Sequence, residues 1–202
     1  MITAKIEDEL KKIHASARER NIPIIQDAEL DLFIKTLKDV KPKNILEIGT
    51  AIGYSALIMA TYSQGKITTI EKDEEKYLEA IDNIKNLGFQ NQITVLKGDA
   101  RDILCQIDIE EKFDLIFMDG PKSHYLEYIK IIEKNLAKNA VIISDDILFF
   151  GYVFGEGQTP KKHRTIVKNL REYIAYMNDN TKFTTHIYNI GHGIMISVYQ
   201  VS

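Results

Sequence analysis

The run Asn44-Ile45-Leu46-Glu47-Ile48-Gly49-Thr50-Ala51-Ile52-Gly53-Tyr54-Ser55-Ala56-Leu57 reads as an apolar strand, a turn bracketed by two glycines and the opening of a helix. Glycine at 49 and 53 lets the backbone turn tightly and approach a ligand, while the helix N-terminus offers unpaired N–H groups to a carboxylate or phosphate. A dinucleotide fingerprint needs G-x-G-x-x-G; here the spacing is G-x-x-x-G, preceded by the acid Glu47.

Working outward, short β-branched runs at residues 44–48, 66–70, 92–96, 113–118 and 140–144 alternate with helical stretches at 54–61, 73–87 (closed by Gly88), near 102–106, and 123–135. That alternation predicts βαβ units, an α/β fold with a mostly parallel sheet and helices on both faces. Upstream, Ile2, Ile6, Leu10 and Ile13, and then Leu30, Phe33, Ile34, Leu37 and Val40, recur at helical spacing, with Asp27 as the expected N-cap of the second helix. Downstream come a glycine-containing loop at 150–158, a helix at 161–177, and runs at 183–190 and 193–200 joined across Asn189–Gly193 as a hairpin, bringing the strands to seven.

At 202 residues, 45% hydrophobic and 27% charged, the chain suits one domain with a sizeable core. A net charge of -3 excludes a global cationic field. The single cysteine, Cys105, cannot form an internal disulfide, and the N-terminal residues lack the apolar stretch of a signal peptide, so a cytoplasmic protein is expected. No apolar run approaches the roughly 20 residues of a membrane span.

Ligands of open α/β sheets sit beyond the carboxyl ends of the strands. There the first three strands place Glu47, Glu71 and the Gly98-Asp99-Ala100 turn. Glu47 repels a pyrophosphate but attracts an ammonium, Glu71 can accept both hydroxyls of a ribose, and Asp99 can accept from an adenine amino group. S-adenosylmethionine, with an amino and a carboxylate group at its methionine end, fits that set. Singly, each acid reads equally well as a helix cap or a solvated loop tip; together at one sheet edge they point to a cofactor.

The run from Ile45 to Leu57 closely resembles the first motif of class I methyltransferases of the catechol and caffeoyl-CoA O-methyltransferase family, and the resemblance extends from Pro23-Ile24-Ile25 to the terminal hairpin. It implies a Rossmann-like core at 42–202 within a single methyltransferase domain spanning 1–202, with the N-terminal helices (1–41) serving as a lid or a dimer contact in a homodimer. It further implies that Glu47, Gly49, Gly53, Ser55, Glu71, Asp99, Ala100 and Asp119 hold S-adenosylmethionine.

The fourth and fifth strands end in Asp119-Gly120-Pro121-Lys122 and Ser144-Asp145-Asp146. Three carboxylates converging without compensation call for a hard cation with oxygen ligands, Mg²⁺ or else Mn²⁺ or Ca²⁺. The family resemblance supports metal ligation by Asp119, Asp145 and Asp146, although the family pattern has Asn where this chain has Asp146. It also implies that Lys122 is the general base or stabilises an oxyanion, making Lys122 and Asp119 the catalytic pair.

Such a centre favours acceptors with two adjacent oxygens: catechols and other small phenols, or 5-hydroxyuridine within tRNA. The cations Lys161, Lys162, His163, Arg164, Lys168 and Arg171, and a second set, Lys11, Lys12, Arg18 and Arg20, can contact phosphates or simply be solvated helix faces. Similarity to the bacterial branch that forms 5-methoxyuridine, carried by Ile142-Ile143-Ser144-Asp145 followed by Leu148-Phe149 and Gly151, favours tRNA. Tyr152 and Phe154 read either as stacking residues or as loop anchors. His124, His163, His186 and His192 have no metal-ligand spacing, with His192 in a turn, and Cys105 reads as packing. An NAD-dependent oxidoreductase is disfavoured by Glu47 and the missing glycine. A non-catalytic RNA-binding module has no use for Asp119, Lys122, Asp145 and Asp146 together.

Overall fold

Four of the five residues of Asn44–Ile48 (β1) are buried, the pattern of a strand covered on both faces. The structure, a computed structural model, describes residues 4–108, 110–155, 157–179 and 181–200; Ile2, named in the first apolar stripe, lies outside them. The chain forms two compact units, Met1–Ala100 and Arg101–Ser202.

The first unit opens with α1 (Ala4–Glu19) and α2 (Asp27–Val40), followed by β1, α3 (Tyr54–Tyr62), β2 (Lys66–Glu71), α4 (Glu74–Leu87) and β3 (Ile93–Lys97). The expected stripes face inward: Leu10 and Ile13 on α1, Phe33 and Leu37 on α2. Asp27 is not the cap of α2. Gln26 caps it in a reciprocal capping box with Glu29, so Asp27 becomes the first helical residue and its carboxylate is free to meet His14 and Arg18, each at 3.0 Å. Helix α4 follows the sequence closely, with Asp73 accepting from the Lys76 N–H and Gly88 closing it in the left-handed region. Strands β1, β2 and β3 pair in parallel, Glu47 beside Thr69 and Glu71 beside Lys97, so the acids lie near the strand ends.

In the second unit β4 (Phe113–Met118) pairs in parallel with β5 (Leu136–Ser144), and β6 (Phe183–Tyr188) and β7 (Ile194–Tyr199) form the expected antiparallel hairpin, with β7 antiparallel to β5. Helix α5 (Ala100–Gln106) begins at the boundary residue. The helix expected at 123–135 is split into a 3₁₀ turn (Lys122–His124), α6 (Tyr125–Ile132) and another 3₁₀ turn (Glu133–Asn135). Strand β5 starts four residues early because Leu136 pairs with Phe113 across an irregularity in register. A 3₁₀ turn at Lys161–His163 leads into α7 (Arg164–Asp179). Cys105, expected as packing, is exposed.

These seven strands, mostly parallel with an antiparallel C-terminal pair and with helices around them, give the Rossmann-like α/β class. Leu115, Ile116, Phe117 and Met118 of β4 are wholly buried, each contributing about 1.5–3 kcal/mol as an upper bound. The strand that presents Asp119 is therefore held firmly from behind.

Candidate active site

The turn after β1 is built from within. Gly49 and Thr50 donate their N–H groups to the Ile70 carbonyl, and Gly53 caps α3 at φ 87°, where a Cβ would press on Ala80 at 3.4 Å. The Glu71 carboxylate accepts from the Ala51 N–H at 2.8 Å and from the Asp73 N–H at 2.7 Å, tying the end of β2 to that turn. It remains partly exposed, and each oxygen keeps a lone pair for a ribose hydroxyl.

Glu47 departs from expectation. It is fully buried, and its oxygens accept from the Ser55 hydroxyl and, at 2.6 Å, from the Thr69 hydroxyl. So enclosed, the carboxylate fixes the floor of the turn. Asp99 is paired with Lys72 at 3.0 Å, and Ala100 starts α5. Glu71, the glycine turn and Asp99 all lie in this unit, with donors and acceptors of the kind that suit a nucleoside with hydroxyl and amino groups.

In the second unit the register pairs Met118 with Ser144, so Asp119 and Asp145 follow side by side, and the Asp145 N–H donates to the Met118 carbonyl at 3.0 Å. Their charges are not uncompensated. Lys122 Nζ stands 2.6 Å from Asp119 and 3.2 Å from Asp146, with only 13% of the Lys122 side chain exposed. Burial works to lower the Lys122 pKa, but Asp119, Tyr125, Asp146 and Asp145 together carry it well above the ordinary lysine value. Burial pushes the Asp119 carboxyl up, against the pull of Lys122. Lys122 is therefore held as an ammonium between these carboxylates in this structure.

Among the described residues no group of three or more His, Cys, Asp and Glu side chains is gathered closely enough to hold a metal ion. Two of the three expected ligands, Asp119 and Asp146, already share one cation, the Lys122 ammonium. The donor set is all oxygen, the ligand chemistry that a hard divalent ion prefers.

Sequence reasoning missed two neighbours. His192 Nδ1 lies 2.9 Å from Asp146, brought there because Ile147 and Leu148 donate to the carbonyls of Gly193 and His192. Gly193 has φ 93°, and a Cβ there would collide with Leu148. The second is Tyr125, fully buried, which donates to the carbonyls of Met118 (2.8 Å) and Asp145 (3.2 Å). The turn between them is strained, with Asp146, Phe149 and Phe150 all at positive φ. It carries Phe150 and, beyond it, Phe154, each 60% exposed, while the rings of Phe149, Phe150 and Tyr152 gather around His163.

The basic clusters fare differently. Lys12 pairs with Glu9, Arg18 with Asp27, and Arg20 makes a two-pronged contact with Glu79, so the N-terminal set is largely committed inside its own unit. Arg171 donates to the carbonyls of Val153 and Tyr152 and anchors the aromatic loop. Lys161, Lys162 and Arg164 are exposed.

A family model described as O-methyltransferase matches residues 3–199. A catechol O-methyltransferase of Niastella koreensis is 34% identical over 144 residues, 69% of this chain and 63% of that protein, so the chain spans less than two thirds of that relative. A caffeoyl-CoA O-methyltransferase of Populus kitakamiensis is 25% identical over 92% of this chain and 80% of its own length. Among solved structures, a Staphylococcus aureus protein assigned to the caffeoyl-CoA O-methyltransferases has a TM-score of 0.87 at 30% identity, covering 94% of this chain and 91% of that one. An O-methyltransferase from Bacillus cereus in complex with SAH has a TM-score of 0.83 at 25% identity, covering 99% of this chain and 93% of that one.

Proposed function

The chain belongs to the O-methyltransferase family, and from that premise we propose that it transfers the methyl group of S-adenosylmethionine to an oxygen acceptor with the help of a divalent cation. The observation that carries the metal reading is the convergence of Asp119 and Asp146 on one cation, the Lys122 ammonium, beside Asp145. The whole chain, 1–202, acts as one methyltransferase domain.

Gly49, Gly53, Ser55, Glu71, Asp99 and Ala100 shape the cofactor cradle, with Glu71 accepting the ribose hydroxyls and Glu47 bracing the turn from beneath. S-adenosylmethionine supplies the methyl group. Asp119, Asp145 and Asp146 hold Mg²⁺, whose chemistry here is to lower the pKa of an acceptor hydroxyl and fix its position. Lys122, beside Asp119 and Asp146, would balance the negative charge of the acceptor oxygen.

For the acceptor, two adjacent oxygens suit a chelating centre. 5-Hydroxyuridine in tRNA is the first reading, supported by the exposed Lys161, Lys162 and Arg164 beside exposed aromatic rings. A small catechol-like acceptor is the second, favoured by the names of the relatives. The protein works in the cytoplasm, in keeping with its unpaired Cys105, and assembles as a homodimer, as the family resemblance implies. Among the described residues no helix is long and apolar enough to cross a membrane.

The test is transfer of labelled methyl groups, with Mg²⁺ or with chelator, into tRNA carrying 5-hydroxyuridine and into a catechol. Label in tRNA as 5-methoxyuridine supports the first reading, and label only in the catechol replaces it with the second. Transfer unaffected by chelator overturns the metal. Asp145→Ala is expected to lose metal-dependent turnover while keeping cofactor affinity.

A further inference from the structure

Tyr125 is the first residue of α6, immediately after the turn that carries Lys122. Its side chain is fully buried, yet among the described residues its hydroxyl bonds to main-chain carbonyls and to no side chain. It reaches the backbone carbonyls of Met118 at 2.8 Å and Asp145 at 3.2 Å. Met118 precedes Asp119, so this one hydroxyl bridges the ends of the two strands that present the carboxylates. The Met118 carbonyl also accepts from the Asp145 N–H, making it the shared knot of both strand ends.

The face of the same ring lies under the Lys122 ammonium, 5.8 Å from Nζ to the centroid. One side chain therefore touches three parts of the centre: the residue before Asp119, the main chain of Asp145, and Lys122. Behind it, Tyr173 packs edge-on at 5.6 Å and bonds through its hydroxyl to Ser144.

We propose that Tyr125 is a positioning residue of the cation centre, its hydroxyl setting the spacing between Asp119 and Asp145 so that their oxygens can close on one divalent ion. The inference rests on the metal reading above. Outer groups that orient ligands without touching the metal are worth about 10- to 100-fold in affinity. Phe at 125 removes the bridging hydroxyl and keeps the ring under Lys122 and against Tyr173, so the fold is retained.

The experiment is calorimetric titration of the full chain with Mn²⁺, comparing wild type, Tyr125→Phe and Tyr173→Phe, with S-adenosylhomocysteine affinity and thermal midpoint measured on each. Tyr125→Phe is expected to bind Mn²⁺ about 10-fold more weakly, with cofactor affinity unchanged and the thermal midpoint within a few degrees of wild type. Tyr173→Phe, which also loses a buried hydroxyl, is expected to bind Mn²⁺ as wild type does. Equal Mn²⁺ affinity in wild type and Tyr125→Phe overturns the inference alone, as does an equal loss in Tyr173→Phe. Wild type that binds no Mn²⁺ overturns the metal reading itself.

Discussion

The Lys122 ammonium stands 2.6 Å from the Asp119 carboxylate, with the two side chains only 13% and 16% exposed. It also reaches Asp146 at 3.2 Å, so in the protein without metal the lysine is the counter-charge that lets these carboxylates lie close together. On the proposed metal reading, a divalent cation would compete with the ammonium for the same oxygens.

Lys122→Met is therefore expected to destabilise the metal-free protein by about 3 kcal/mol, the cost of leaving a buried carboxylate unpaired. Mg²⁺ should raise the thermal midpoint of the variant more than that of wild type, because it no longer competes with the ammonium. Methyl transfer should fall by about 10²- to 10³-fold even with saturating Mg²⁺. Melts with Mg²⁺ and with chelator decide the first point: equal shifts in both proteins mean that lysine and cation do not share the carboxylates.

Glu47→Gln tests the buried floor of the cofactor turn. The carboxylate accepts from the hydroxyls of Ser55 and Thr69, and an amide offers only one oxygen, leaving one partner unsatisfied. A loss of about 1–3 kcal/mol in stability is expected, with cofactor affinity falling less than in Glu71→Gln. Denaturant unfolding and S-adenosylhomocysteine titration read the two effects. A Glu47 variant of normal stability that binds the cofactor more weakly than Glu71→Gln restores the direct ammonium contact.

What the sequence made legible was whatever repeats locally. Strand β1, the glycine turn and the Asp73 to Gly88 boundaries of α4 follow from patterns a few residues long. The acids at the strand ends were legible because parallel strands align their termini. The partner of each acid was not. Glu47 faces hydroxyls 8 and 22 residues away, and His192 reaches Asp146 from 46 residues downstream. Asp27 looked like a helix cap until Gln26 took the role. The N-terminal cations looked available until Glu9, Asp27 and Glu79 were found beside them. Tyr125 gave no signal at all, since its partners are main-chain carbonyls, which carry no sequence mark.

Asp146→Asn introduces the residue of the family pattern. Asp146 has φ 56°, a left-handed conformation that Asn tolerates as well, and an amide oxygen can still accept from His192. The fold and thermal midpoint should be unchanged within about a degree, while Mg²⁺ binds about 3- to 10-fold more weakly for want of one ligand charge. Unchanged Mg²⁺ affinity would place Asp146 outside the cation's reach and leave it as a latch for the terminal hairpin.

Alkaline pH should weaken the fold through its buried phenols. Burial raises the Tyr54 pKa from 10.0 to about 12, with Asp27 adding to the effect, and Tyr125 and Tyr173 are also raised by burial. These groups are harder to ionise folded than unfolded, so their stabilisation is complete below pH 10 and is lost as pH rises through the folded values. Thermal midpoints should be flat approaching pH 10 and fall above it, with these tyrosines ionising only on unfolding. Tyrosinate absorbance followed alongside circular dichroism checks this; ionisation of all 10 tyrosines before any loss of structure contradicts it.

The tRNA reading turns on Lys161, Lys162 and Arg164, because their neighbours along α7 are already committed: Arg171 holds the carbonyls of Val153 and Tyr152, and Lys168 pairs with Glu172 at 3.7 Å. If these three contact phosphates, Lys161→Ala with Lys162→Ala should lower tRNA affinity and flatten its salt dependence by about 0.7–0.9 per lost charge in log–log slope. Catechol methylation should be untouched. Arg171→Ala should act in the opposite way, loosening the aromatic loop and raising KM for any acceptor without changing the slope. A double variant with wild-type tRNA affinity and slope makes the exposed cations a solvated face, and the acceptor is then a small catechol.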